Sequence, residues 1–245
     1  DRSYLIPSIV IRSVMDIYNK RDYELVIDIC DKVLKDSHNY YSDITRELTY
    51  WLCLALCRTQ KEERFYEEVK ALDGADYWFL KGFFQRIATK YNSAENFLKK
   101  ALEISPSMQR AKRELVTALL AQHRYPEALS LAKENYERDS DNTYHMHAYF
   151  RCLVKKVNIN REDIATLKEL LDKMENSYSD KKEELHMAMN IEFQANIKRK
   201  SPDEMLDLIR NAEKNFPSSV NIQRAAHEYK LKQAIVSKEV VFPED

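Results

Sequence analysis

Glycine is nearly missing from this chain. Its 245 residues include only Gly74 and Gly82, alongside six prolines. A chain of this length ordinarily carries about 17 glycines. Glycine supplies positive φ, tight turns and close backbone approach to ligands. A dinucleotide fingerprint or a phosphate-binding loop needs several at fixed offsets, and two cannot assemble either. Hairpin-rich β architecture, which leans on Asn-Gly and Asp-Gly turns, is disfavoured as well. Charge of one sign is also lacking. There are 39 basic and 40 acidic residues, for a net charge of −1. Nucleic acids and anionic membrane surfaces ordinarily attract a clear basic excess, so both are disfavoured as partners. No apolar run reaches the roughly 18–20 residues that span a bilayer. Asp1 opens the chain without a signal-peptide pattern, which points to an excised fragment or a processed chain. Cysteine is sparse. Cys30, Cys53, Cys57 and Cys152 sit inside apolar-periodic segments, the pattern of reduced core thiols in a cytoplasmic protein. What is abundant is apolar and charged together, at 44% and 32%. That mixture predicts amphipathic helices with charged outer faces.

Internal repetition organises the chain. Residues Ala75–Met108 predict a first helix carrying Trp78 and Gly82 and a polar break at Thr89-Lys90. A second helix follows through Tyr91, Ala94, Leu98, Ala101 and Leu102, and Pro106 stops it. This segment resembles the tetratricopeptide repeat, a 34-residue helix–turn–helix unit. Trp78, Gly82, Tyr91, Ala94, Ala101, Leu102 and Pro106 match its signature without a gap. Lys81 and Gln85 depart from it, standing where a leucine and a tyrosine are usual. One period later, Tyr125 and Ala128 fall in the positions of Tyr91 and Ala94. A period further on, Met146, Tyr149, Phe150 and Leu153 form an i, i+3, i+4, i+7 stripe. In the other direction, Tyr23, Val26, Cys30, Val33 and Leu34 keep the same phase.

The expected fold is all-α, a right-handed α-solenoid of about six helix pairs with a C-terminal capping helix. The pairs are placed near 7–38, 43–73, 75–106, 109–140, 143–175 and 180–217, the cap at 218–236 and a loose tail at 237–245. Residues 1–236 are read as one repeat domain. The second pair fits less well because it joins a long first helix (Asp43–Arg58) to a short second one (Lys61–Leu72), and the sixth because Glu192 and Asn196 stand where apolar residues are expected. No pair buries its apolar face alone, so stacked neighbours make one continuous core. The resemblance implies a superhelix with a concave and a convex side.

Catalytic and metal chemistry find little support. Cys53 and Cys57 are i, i+4 on one face, but no second pair stands at metal-ligand spacing. His145 and His147, at i, i+2, point to different sides of a helix. His38, His123, His186 and His227 are scattered over separate pairs. No motif joins a nucleophile to a base, so no enzyme activity, cofactor or metal is expected. Lys99-Lys100 and Lys198-Arg199-Lys200 lie near helix ends, where cations complement the helix dipole.

The repeat phase singles out a polar stripe instead. At positions that line the concave face in this family stand Arg110, Arg113 and Thr117, then Tyr144, His147 and Arg151, with Asn190 and Gln194 in the sixth pair. Arginine forks grip carboxylates bidentately, which suits a peptide ligand. Phe79 and Phe83 also fall at concave positions. They either form an apolar pocket there or fill the core after a one-residue slip in phase. The family's chaperone-tail clamp, a Lys…Asn, Asn, Lys…Arg set over three units, is not found. The expected function is a protein–protein interaction module within a larger protein or complex, binding a protein or peptide on its concave face. The alternatives are a regulatory or sensor arm serving another domain of the same polypeptide, structural self-association and, less favoured, RNA binding.

Overall fold

A computed structural model describes residues 5–35, 42–179 and 181–236. The expected end of the first pair at His38, the start of the sixth at Asp180 and the tail 237–245 lie outside the described residues. Among the described residues there are thirteen α-helices and no strand. They fall into two compact units, 1–122 and 123–245.

The first unit holds α1 (Leu5–Asn19), α2 (Tyr23–Lys35), α3 (Ser42–Arg58), α4 (Glu62–Glu68), α5 (Gly74–Ile87), α6 (Tyr91–Ile104) and α7 (Gln109–Ala121). The second holds α8 (Tyr125–Arg138), α9 (Thr143–Val154), α10 (Arg161–Glu175), α11 (Lys182–Phe193), α12 (Pro202–Asn215) and α13 (Val220–Val236). A 3-10 turn, Val69–Ala71, follows α4, and a π-helical turn, Gln194–Lys198, extends α11.

How a glycine-poor chain turns within its pairs is visible in the backbone. Arg21, Gln60, Thr89, His123 and Arg199 all have positive φ, between 53° and 68°. Each stands between two successive helices. At Thr89 the turn is closed by Thr89 N–H to Arg86 O at 3.1 Å and Lys90 N–H to Gln85 O at 2.8 Å. This paired i−3 and i−5 pattern is a Schellman motif, which satisfies carbonyls the helix end leaves free. It recurs at Arg21-Asp22 and at Gln60-Lys61. A left-handed residue other than glycine costs about 1–2 kcal/mol. The same turn is therefore built repeatedly against local preference, and helix packing sustains it.

The two glycines do separate jobs. Gly74 opens α5 at φ +59°. Gly82 lets α6 approach α5, because a Cβ there would stand 2.7 Å from Leu98 Cγ and 3.1 Å from the Leu98 backbone nitrogen. In the second unit, side chains secure the helix starts. Asn142 caps α9. Asn160 with Asp163, and Ser201 with Glu204, make capping boxes on α10 and α12.

The first core gathers Leu48, Leu52, Leu56, Phe65, Leu80 and Leu98, with Phe65 stacked on Phe84 at 4.6 Å. Cys30, Cys53 and Cys57 are buried free thiols within it, and burial pushes Cys30 and Cys53 up to about 12. The second unit has a cluster of Ala188, Ile191, Met205, Ile209, Ala212, Ile222, Ala225, Ala226 and Tyr229. Among the described residues no helix is long and apolar enough to cross a membrane.

Candidate functional site: the inner helices of each unit

In the first unit α3, α5 and α7 pack in succession. Phe79 and Phe83, one turn apart on α5, are 2% and 3% exposed. Their rings stack at 5.8 Å, and Phe79 stacks on Tyr50 of α3 at 6.4 Å. The two phenylalanines thus form a buried aromatic floor, and arginines lie over it. The guanidinium of Arg110 stands 4.9 Å from the Tyr50 ring and 5.9 Å from that of Phe79. Arg58 and Arg86 stand 4.8 and 5.1 Å from the Phe83 ring. Such stacking suits a planar, weakly hydrated cation.

The remaining contacts tie the arginines down further. Arg110 also donates to the Tyr50 hydroxyl. Burial raises the Tyr50 pKa against the opposing pull of Arg110, so the phenol stays neutral. Arg86 pairs with Glu114, and Arg113 Nε lies 3.8 Å from the same carboxylate. Thr117 turns its hydroxyl back onto the Arg113 carbonyl at 3.1 Å.

In the second unit α9, α11 and α13 pack together. Three stripes at i, i+4 spacing meet there: His147, Arg151 and Lys155 on α9, Glu192 and Asn196 on α11 and its π turn, and Arg224, Glu228 and Lys232 on α13. Glu192 is 3% exposed. Its Oε1 accepts from Arg224 at 2.8 Å and lies 3.9 Å from Arg151 Nε. One step along, Lys155 pairs with Glu228 at 2.7 Å. At the end, Lys232 donates to Asn196 Oδ1. Three cations thus face two carboxylates.

Arg151 is pushed down to about 10 by burial and by Arg224, with Glu192 and Glu228 opposing, and stays charged at neutral pH. Burial raises Glu228, but Lys155, Arg224 and Arg151 more than offset this and hold it below the usual range. His147 is 6% exposed, and its pKa is driven well down by burial, then by Arg224 and Arg151, so it is neutral. His147 Nε2, Arg151 Nε, Arg224 Nε and Glu192 Oε2 are buried without a hydrogen-bond partner among the described residues. Buried polar atoms are ordinarily satisfied, so four together mark an incompletely filled polar cluster.

Of the α9 residues singled out by phase, His147 and Arg151 join this cluster, while Tyr144 stands 41% exposed beside it. Asn190 and Gln194 are half-buried and bonded to each other at 3.0 Å. Facing Arg224 from α11 is Glu192, two residues along and so on another side of the helix. Glu192 and Asn196 read as apolar-phase failures in the sequence. A carboxylate breaking an apolar stripe, with arginine at a matching position two helices later, was the available signal. Cys53 and Cys57 face the core, and among the described residues no group of three His, Cys, Asp or Glu could hold a metal. Lys99 pairs with Glu95 at 2.6 Å, and Lys100 lies 4.4 Å from the Trp78 ring.

Paired antiparallel helices, turns recurring at a common position and a glycine at the helix crossing define an all-α helical-repeat protein. Residues 86–156 match the model of the tetratricopeptide repeat family. Among solved structures it is similar to that of PilF from Pseudomonas aeruginosa. Identity is 13%, with 93% of this chain and 100% of that chain covered, at a TM-score of 0.55. Looser likenesses are to YrrB, described as a tetratricopeptide protein with an unusual peptide-binding site, and to the Naa15/Naa10 structure bound to HypK-THB. The first is 15% identical over 80% of this chain and 96% of that one, at a TM-score of 0.45. The second is 14% identical over 93% of this chain and 34% of that one, at 0.43. Comparison with curated proteins returned no match.

Proposed function

We propose that this chain is an interaction module that binds a protein or peptide partner on the concave positions of its first helices. Each unit offers its own wall: Arg110, Arg113 and Thr117 over the aromatic floor of the first, and Tyr144, His147 and Arg151 beside Glu192 and Arg224 in the second. The observation that carries the reading is the set of buried polar atoms left without partners between Arg151, Glu192 and Arg224. A partner carboxylate accepts from the guanidinium N–H groups, which donate in parallel pairs, and a partner backbone amide N–H donates to Glu192 Oε2. The match of residues 86–156 to the tetratricopeptide repeat family supports protein binding in general.

The test begins with the immobilised chain and the partner it retains. Calorimetric titration of that partner then compares wild type with Arg113→Glu and Tyr144→Ala. Both side chains are at least a third exposed, so both variants fold. Affinity falls about tenfold in at least one if a wall is the binding surface. Unchanged affinity in both removes the proposal.

A further inference from the structure

Beyond the walls, the second unit contains a cavity of about 720 Å³ at the C-terminal end of α9. The α9–α10 loop, the π turn after α11 and the last turns of α13 build it. Its lining includes Lys155, Lys156, Arg199 and Lys232 and no acidic residue. Two of these cations are partly neutralised from behind: Lys155 by Glu228, and Lys156 by Asp163 at 2.7 Å. The other two have no carboxylate partner among the described residues. Lys232 reaches only the amide oxygen of Asn196. Arg199 is exposed, its backbone N–H donating to the Gln194 carbonyl at φ +53° where the π turn ends, and its guanidinium makes no hydrogen bond or ion pair among the described residues.

Between the cations, beside Tyr125, Asn158 and Asn196, stands an aliphatic strip. Ile159, Ile164 and Ile197 are half-buried, and Val157 is 88% exposed. A π turn at a helix end is itself uncommon and frequently marks a functional position. Here it brings Asn196, Ile197 and Arg199 to one cavity.

We infer that this cavity is a docking pocket for an acidic peptide segment carrying an aliphatic side chain. Charge complementarity selects the acidic residues. Two cations without a carboxylate partner, backed by two more, meet carboxylates at the rim and leave the chain's near-zero net charge locally positive. The volume lies in the range of pockets that bury a side chain with its flanking backbone, and far exceeds the need of a single small anion. The aliphatic lining gives the ligand's apolar side chain its burial, which carboxylates alone do not use. The Lys198-Arg199-Lys200 run thereby acquires a role beyond a helix-end charge. The pocket shares Lys155, Asn196 and Lys232 with the end of the α9–α11–α13 stripes but neither Arg113 nor Tyr144, so the two tests are separable.

The test uses fluorescence anisotropy with the full chain and a labelled, end-blocked hexapeptide alternating acidic pairs with leucine. Wild type binds it with an affinity that falls as salt rises. The matching peptides with amides for carboxylates, or serine for leucine, bind at least about tenfold more weakly. The double variant Arg199→Gln/Lys232→Glu loses about tenfold, and Ile197→Ser loses a smaller factor, while Lys214→Glu, a charge reversal on exposed α12, binds as wild type does. Circular dichroism confirms that each variant is folded. Three results overturn the proposal: no saturable binding by wild type, equal binding by the double variant, or tighter binding of a ten-nucleotide oligouridylate, which would make this a nucleic-acid surface.

Discussion

In the first unit Arg58, Arg86 and Arg110 lie over the rings of Tyr50, Phe79 and Phe83, whereas in the second Arg151 and Arg224 face the buried carboxylate of Glu192. Both walls come from first helices of successive pairs, and both carry arginine. The difference lies beneath the guanidinium. A ring face attracts the cation without accepting all of its hydrogens, so Arg58 and Arg110 remain exposed with donors to spare. A carboxylate removed from water binds tightly to its arginines, and both sides lose hydration in doing so. The first wall therefore keeps Arg58 and Arg110 available at low cost, and confines carboxylate pairing to Arg86 and Arg113 at Glu114. The second stakes local stability on a charge balance.

The largest expected effect breaks that balance. Glu192→Ala leaves Arg151 and Arg224 without their shared partner, and stability falls by about 3–5 kcal/mol. Urea denaturation followed by circular dichroism measures it. A loss under about 1 kcal/mol would mean that water already screens the cluster, and the contrast between the walls would fail.

A smaller effect concerns pH. His147 is neutral in the fold, with its pKa depressed by burial and by the neighbouring arginines. The unfolded chain takes up the proton near pH 6.5 while the folded chain does not, so stability is full above that pH and declines as pH falls below it. Between pH 7.5 and 5.5 the wild type loses about 1 kcal/mol. In His147→Gln that decrement disappears. The same decrement in both would assign the pH dependence elsewhere.

The smallest effect sharpens the other side. Arg110→Ala costs under about 1 kcal/mol, the range of an exposed cation over a ring. The cost is equal at pH 7.5 and 5.5, because burial keeps the Tyr50 phenol neutral throughout that range. Trp51 and Trp78 both lie in the first unit, so tryptophan fluorescence follows it directly.

Much of the fold is legible in the residues. The period of 34, Gly82 at a crossing and Pro106 past a helix end set out α5 and α6. The turn expected at Thr89-Lys90 is found there. The helix from Arg161 to Glu175 and the start at Ser201-Pro202 follow from capping and apolar spacing, which are local signals. The site is less legible. Phe79 and Phe83 satisfy either a wall or a core by spacing alone, and only the arginines supplied by α3, α5 and α7 show them as a covered floor. Glu192 read as a defect, because its partners are 41 residues earlier and 32 later. Arg199 read as a helix-end charge, because a π turn and a lining drawn from four segments leave no periodic trace.

Near-absence of glycine, balanced charge and a helical period are properties of each stretch of chain, and they alone determined an all-α repeat built without phosphate loops. Which polar residues meet was decided by tertiary packing. Hydrophobic periodicity constrains the buried stripe of each helix, but not which charged side chain on the next helix stands opposite it. Arg151, Glu192 and Arg224 acquire their electrostatics only when three helices remove them from water together.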